Sequence, residues 1–180
     1  MRQDVRARLR AATNDNHRRV DEIFSGFDLN DPISYRRFLL AQAAAHLPLE
    51  RALDAGFAER VLADWPERRR ADRLRDDLAA LALDEPEPEA VRPLANDAAA
   101  LGTLYVLEGS RLGAAYLRRS VPSAFPQAYL EPGSSSLWRG LVDVLERSLT
   151  SDTARQSAID AAHAAFDAFE RSGRRYLKAS

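Results

Sequence analysis

The residues with the clearest chemical potential are a histidine near the N-terminus and an aspartate one helical turn after it. His17 lies in the segment LRAATNDNHRRVDEIF, where Thr13 and Asp21 share its side of a predicted helix. A neutral imidazole binds a metal through one ring nitrogen when an acceptor holds the other, and Asp21 is placed to be that acceptor. Since a single histidine on a helix is most often a surface residue without a ligand, the spacing leaves both interpretations open.

A second group lies in the segment LGTLYVLEGSRLGAAYL, residues 101–117, which is predicted to be one helix. Gly109 and Gly113 are one turn apart and open onto nearly the same side of it, with Ser110 beside them. Each glycine costs a helix about 1 kcal/mol relative to alanine, so two of them indicate that the backbone approaches something closely. A second helix and a flat ligand both fit this pattern, and close helix packing is the commoner explanation.

A third group is the basic C-terminal end of the chain, RSGRRYLKAS. It can interact with the negative end of a helix dipole, or it can bind an anion. A flat, anionic ligand that carries iron would use all three groups: the imidazole for iron, small residues for close approach, and cations for carboxylates. The basic residues of this end are Arg171, Arg174, Arg175 and Lys178.

Composition narrows the class of protein. The chain has 180 residues, which predicts one domain over residues 1–180, and its formal net charge of -1 argues against a general nucleic-acid-binding protein. It contains no cysteine, which excludes disulfides, thiolate metal sites and cysteine nucleophiles. The charged N-terminus lacks the apolar stretch of a secretory signal, and no apolar run is long enough to span a bilayer. We therefore expect a soluble cytoplasmic protein with neither a membrane nor a nucleic-acid partner.

The hydrophobic spacing predicts helices throughout the chain and no strands. Pro48 is expected to kink or end the second helix, and His46 just before it is expected to be structural. The arginines and aspartates of Glu67–Leu83 interleave, which is typical of a solvated helix face, and no function is assigned to them. The other helices are predicted to run from about Arg2 to Phe24, from Asp31-Pro32 onwards, from Asn96 to Leu117, from Leu137 to about Leu149, and from Asp152 to the C-terminal end.

Four segments make the sequence resemble the heme oxygenase family, and specifically its bacterial biliverdin-forming branch. They are LRAATNDNHRRVD, DPISYRRFLL, LYVLEGSRLGAAYL and AAHAAFDAFE, and together the resemblance covers nearly the whole chain. The EGSRLGAA core is fairly specific, and LRAATNDNH adds independent weight. The resemblance implies an all-α, single-domain helical bundle of the heme-oxygenase type with about seven or eight helices.

The resemblance also implies a role for each group. His17 matches the proximal iron ligand, flanked by Thr13 and Asp21, and the two glycines match the distal wall of the heme site. Ser110 matches a position on the oxygen-binding side, where animal members carry an aspartate that organises water and this motif has none. Basic and tyrosyl side chains of the last helix hold the heme propionates in the family, so this role falls on residues of the cluster that contains Arg171, Arg175 and Tyr176.

The implied activity is oxidative cleavage of heme to biliverdin, carbon monoxide and iron. Heme is then both substrate and cofactor, and an external donor such as a ferredoxin or a reductase supplies electrons. A carrier or sensor that binds heme through His17 without cleaving it remains an alternative. Thiamine-degrading and quinone-cofactor enzymes share the wider fold, but the former use a cysteine nucleophile that this chain lacks. A purely structural helical protein would explain the glycines but not both motifs together.

Overall fold

Side-chain caps fix where the main helices begin. We describe a computed structural model that covers residues 4–178, and in that range helices are the only regular structure, which confirms the all-α prediction. Asp4, Asp31, Asn96, Ser134 and Ser151 each accept a backbone N–H from the first turn of the helix that follows. The helices are α1 (Val5–Phe24), α2 (Pro32–Asp54), α3 (Ala58–Val61), α4 (Trp65–Arg68), α5 (Ala71–Ala80), α6 (Asp97–Leu117), α7 (Ser135–Ser148) and α8 (Asp152–Leu177), with a 3₁₀ turn at Arg118–Ser120.

Helix α2 does not end at its proline. Pro48 has no N–H to offer the Ala44 carbonyl, which would be its partner in a regular helix. That carbonyl instead accepts the backbone N–H of Glu89, at 2.8 Å, from the acidic segment between α5 and α6. The missing hydrogen bond is thus replaced from a distant part of the chain, and α2 continues to Asp54.

The single helix predicted over Glu67–Leu83 is wrong, because the structure divides it into α4 and α5. Arg69 has an extended backbone between them, with ψ of 138°. The Glu50 carboxylate of α2 accepts the N–H groups of Arg70 and Ala71, which open α5. A buried carboxylate therefore takes the place of a local cap at this break.

Helix α8 is the axis on which the functional helices assemble, since α1, α2 and α6 all pack against it. Helices α1 and α8 run in the same direction, because Arg8 meets Asp152 while Gly26 lies against Leu177. The first halves of α1 and α6 share one apolar cluster, and their last turns share a second. His17 and Gly109 both lie in the second half of their helices. The helices of residues 4–178 include none that is long and apolar enough to cross a membrane.

Candidate functional site

One side of α6 is uncovered although the rest of the helix is buried. This side, which we call the glycine face, is exposed most strongly at Leu112 and Tyr116, at 48% and 72%. A Cβ placed on Gly109 or Gly113 would meet no heavy atom within 4 Å in the described part of the chain. These two glycines therefore open onto space that no described part of the chain fills. The glycine face consists of Tyr105, Gly109, Leu112, Gly113 and Tyr116.

Gly102 on the same helix is a glycine that close helix packing requires. A Cβ there would lie 2.0 Å from the Ala158 carbonyl oxygen of α8, closer than any two such atoms can approach. The helix-packing interpretation is thus correct for Gly102, a residue that was not singled out from the sequence. It does not account for Gly109 and Gly113.

The His17 imidazole is poised to bind a ligand from α1. Its side chain is 62% exposed, and its Nδ1 atom lies 3.0 Å from the Asp21 carboxylate. A proton on Nδ1 bonded to that carboxylate leaves Nε2 with the lone pair that binds metals. The ring also makes an edge contact with Phe166 of α8, with ring centroids 5.9 Å apart. The expected partnership of His17 and Asp21 is therefore present in the structure.

Thr13 and Tyr105 connect α1 to α6 just before this point. The Thr13 side chain is buried and its hydroxyl donates to the Leu9 carbonyl. Burial raises the pKa of the Tyr105 phenol, while the adjacent Thr13 hydroxyl and the charges of two α1 arginines, Arg6 and Arg10, oppose that rise. One turn further along the two helices come His17 and Gly109. Both candidate residues thus follow, by one turn, the pair that joins the two helices.

Ser110 lies beside the glycine face and is held by a buried arginine. Its hydroxyl donates to the Leu107 carbonyl at 2.7 Å and accepts from the Arg70 guanidinium at 2.8 Å. Arg70 is only 2% exposed, and its guanidinium stacks 4.7 Å above the centre of the Tyr129 ring. The expectation of a solvated arginine run is therefore wrong at Arg68 and Arg70, both of which are buried.

A polar chain continues behind Arg70 into the interior. The Tyr129 hydroxyl lies 3.2 Å from Nδ1 of His46, and Nε2 of the same ring lies 2.8 Å from the Glu50 carboxylate. Burial lowers the pKa of His46, which is therefore neutral. Burial alone would raise the pKa of Glu50, but hydrogen bonds from His46 and two backbone N–H groups hold it at about 2. The spacing of His46 and Glu50, one turn apart on α2, was the sequence signal for this network.

The structure does not bring Arg171 and Arg175 towards His17. Both form ion pairs with the buried Glu89 carboxylate, and Arg171 also donates to the Ala90 carbonyl. Arg171 also borders a cavity of about 680 Å³, which His163 and Asp167 of α8 line as well. Of the other predicted carboxylate ligands, Arg174 pairs with Glu170 and Tyr176 packs on the second apolar cluster, while Lys178 follows the last turn of α8.

Comparisons with known proteins show which family this fold and sequence resemble. The heme oxygenase family model matches residues 3–174. The chain is 40% identical to a heme oxygenase of Xanthomonas campestris over 64% of its own length and 78% of the relative, and 32% identical to the heme oxygenase PigA of Pseudomonas aeruginosa over 93% and 91%. Its fold matches a crystal structure of heme oxygenase from Neisseria meningitidis with NO and CO bound, with a TM-score of 0.85, 24% identity and coverage of 98% and 94% of the two chains.

Proposed function

Because the chain belongs to the heme oxygenase family, we propose that it holds heme between α1 and the glycine face of α6, with His17 as the axial ligand of iron. The chain is an enzyme, and heme is its substrate and its cofactor. The observation that carries the proposal is the glycine face itself, an uncovered apolar stripe, together with the exposed imidazole of α1. An unpartnered stripe of this kind on an otherwise buried helix is explained by a flat ligand that covers it.

The residues present fit a heme. The missing Cβ atoms of Gly109 and Gly113 let the α6 backbone approach a flat ring, and Leu112 offers apolar contact beside them. On the opposite wall, Asp21 fixes the His17 ring in the tautomer that has Nε2 available. For the carboxylates, Arg10 is better placed than Arg171 or Arg175, since it lies two turns before His17 on the same side of α1 and beside Tyr105.

When bound, heme supplies the iron at which O2 is reduced and the porphyrin carbon that is oxidised. The chain's own residues bind and orient it and control water. His17 holds the iron from one side, while the backbone at Gly109 and Gly113 limits the space on the other. Ser110 accepts its hydrogen bond from Arg70, so its own proton can turn from the Leu107 carbonyl towards the glycine face. This arrangement takes the place of the aspartate found in animal members.

We further propose that the products are biliverdin, carbon monoxide and iron, with electrons from a ferredoxin or a reductase. The distribution of product isomers would depend on how His17 and the glycine face seat the porphyrin ring. The enzyme is proposed to act in the cytoplasm.

Turnover tests the activity directly. The hemin complex, mixed with ascorbate or a reductase–ferredoxin pair in air with catalase present, should lose its Soret band and release carbon monoxide. The product should be a single biliverdin isomer on chromatography, because a seated heme is attacked at one edge. Intact heme with every donor, alongside tight histidine-ligated binding, would favour the carrier or sensor alternative instead.

The assignment of the carboxylate ligand predicts opposite results for two arginines. Arg10→Ala should weaken hemin binding about tenfold, the value of one charge-assisted hydrogen bond, at unchanged thermal stability. Arg175→Ala should leave hemin affinity unchanged but lower the melting temperature, because it removes a partner of the buried Glu89 carboxylate. Hemin titrations and thermal melts of both variants measure this. If only the Arg175 variant bound hemin more weakly, the carboxylate ligand would be assigned to α8 instead.

A further inference from the structure

The buried side of α1 is apolar except at Thr13 and Asn16. Val5, Leu9 and Ile23 are buried along it, and Asn16 lies among them at 7% exposure. A buried asparagine in an apolar helix interface costs stability, yet it can specify how the two helices align. Asn16 is also the residue immediately before His17. Its contacts therefore bear on where the imidazole points.

Two residues of α8 satisfy the Asn16 amide. Its Nδ2 atom donates to the Asp167 carboxylate at 3.2 Å, and its Oδ1 atom lies 2.8 Å from Nδ1 of His163. A carboxylate only accepts hydrogen bonds, so the amide nitrogen must face Asp167. The amide oxygen then faces His163, which must donate from Nδ1. Each atom of the cluster thus has one role, and only one alignment of α1 on α8 satisfies all three residues.

The other polar contacts between these helices are weaker determinants of alignment. Arg8 and Asp152 form a solvent-exposed pair at 3.6 Å, and Arg19 meets Glu170 with its side chain 41% exposed. Exposed ion pairs of long side chains contribute little and tolerate movement. The apolar contacts alone would also allow small shifts, because an aliphatic stripe has no directional preference. The buried amide is the directional contact of this interface.

We infer that Asn16, His163 and Asp167 form a positioning cluster that fixes the rotation and axial position of α1 on α8 and so directs His17 at the heme iron. A register shift of one residue would move a helix by about 1.5 Å and turn it by about 100°. Smaller rotations also move the imidazole, since it projects from the residue next to the cluster. The inference rests on the proposed role of His17, and none of the three residues needs to touch heme.

The first test uses the protein without heme. The chain has no cysteine, so a double variant with Asp15→Cys on α1 and Asp76→Cys on α5 carries only two thiols. A spin label is attached to each of them. Electron–electron double resonance should give one narrow distance distribution for this pair. Adding Asn16→Leu should broaden or shift that distribution and lower the melting temperature modestly, because His163 and Asp167 lose their amide partner. The matched control is Asn14→Leu, an exposed asparagine of the same helix, which should change neither.

The second test uses the hemin complex and the other partner. His163→Leu should give a heterogeneous ferric electron paramagnetic resonance spectrum and turnover reduced about 10- to 100-fold, as expected for a misplacement of about 1 Å. His163→Gln, which keeps a donor, should restore much of both. Unchanged label distances in Asn16→Leu together with a wild-type spectrum in His163→Leu would overturn the inference. If wild-type hemin is not bound through His17 at all, the proposed function fails, whereas the label distances still report on the cluster.

Discussion

His17→Ala is expected to abolish histidine ligation of hemin in this protein. The wild-type complex should show the spectrum of a histidine-ligated heme, and the variant should lose it, because the His17 ring is exposed and its Nδ1 atom is held by Asp21, which leaves Nε2 for the proposed ligand. Turnover should fall at least about 100-fold, since the iron is no longer held in position. Optical and electron paramagnetic resonance spectra of the reconstituted proteins measure the ligation. Imidazole added in solution should restore the wild-type spectrum if only the ligand has been removed.

His163 provides the control for this prediction. It is partly buried, borders the 680 Å³ cavity, and lies against Asn16 of α1. His163→Gln should keep a histidine-ligated spectrum, since the ligand itself remains. An unchanged spectrum in His17→Ala combined with a lost ligand in His163→Gln would place the heme in that cavity and contradict the proposed site.

Gly113→Val is expected to abolish hemin binding without unfolding the protein. The two added methyl groups would project into the space that the proposed ligand fills, so hemin affinity should fall at least about tenfold. The fold should survive, because no described atom lies within 4 Å of the new Cβ and valine is no worse than glycine inside a helix. Hemin titrations and thermal melts of the same preparation separate binding from folding.

Gly102→Ala is the matched control on the same helix. Its single methyl group would lie 2.0 Å from the Ala158 carbonyl oxygen, so α6 and α8 must move apart. We expect a loss of about 3 kcal/mol in the free energy of unfolding, and any loss of hemin binding should follow from unfolding. A Gly113→Val protein that melts as early as Gly102→Ala would show that both glycines serve helix packing.

The sequence by itself determined the local features of the site. The spacing of His17 and Asp21 already required that they share one side of a helix, and the structure shows them 3.0 Å apart. Gly109 and Gly113 were likewise assigned to one side of one helix. The caps Asp31 and Asn96 marked helix starts that the structure confirms. These features depend on residues within about one turn of each other, so helical geometry alone is enough to predict them.

The tertiary structure decided which side of each helix is covered. Gly102 packs and Gly113 does not because Ala158 of α8 lies against the first and not the second, and α8 is far away in the sequence. The basic cluster pointed to Arg171 and Arg175 as ligands, but the buried Glu89 binds both from the segment between α5 and α6. Arg70 was expected in solvent and is buried between Tyr129 and Ser110. In each case the deciding partner comes from a distant part of the chain. A local sequence pattern does not indicate which distant side chain will contact it in the folded protein.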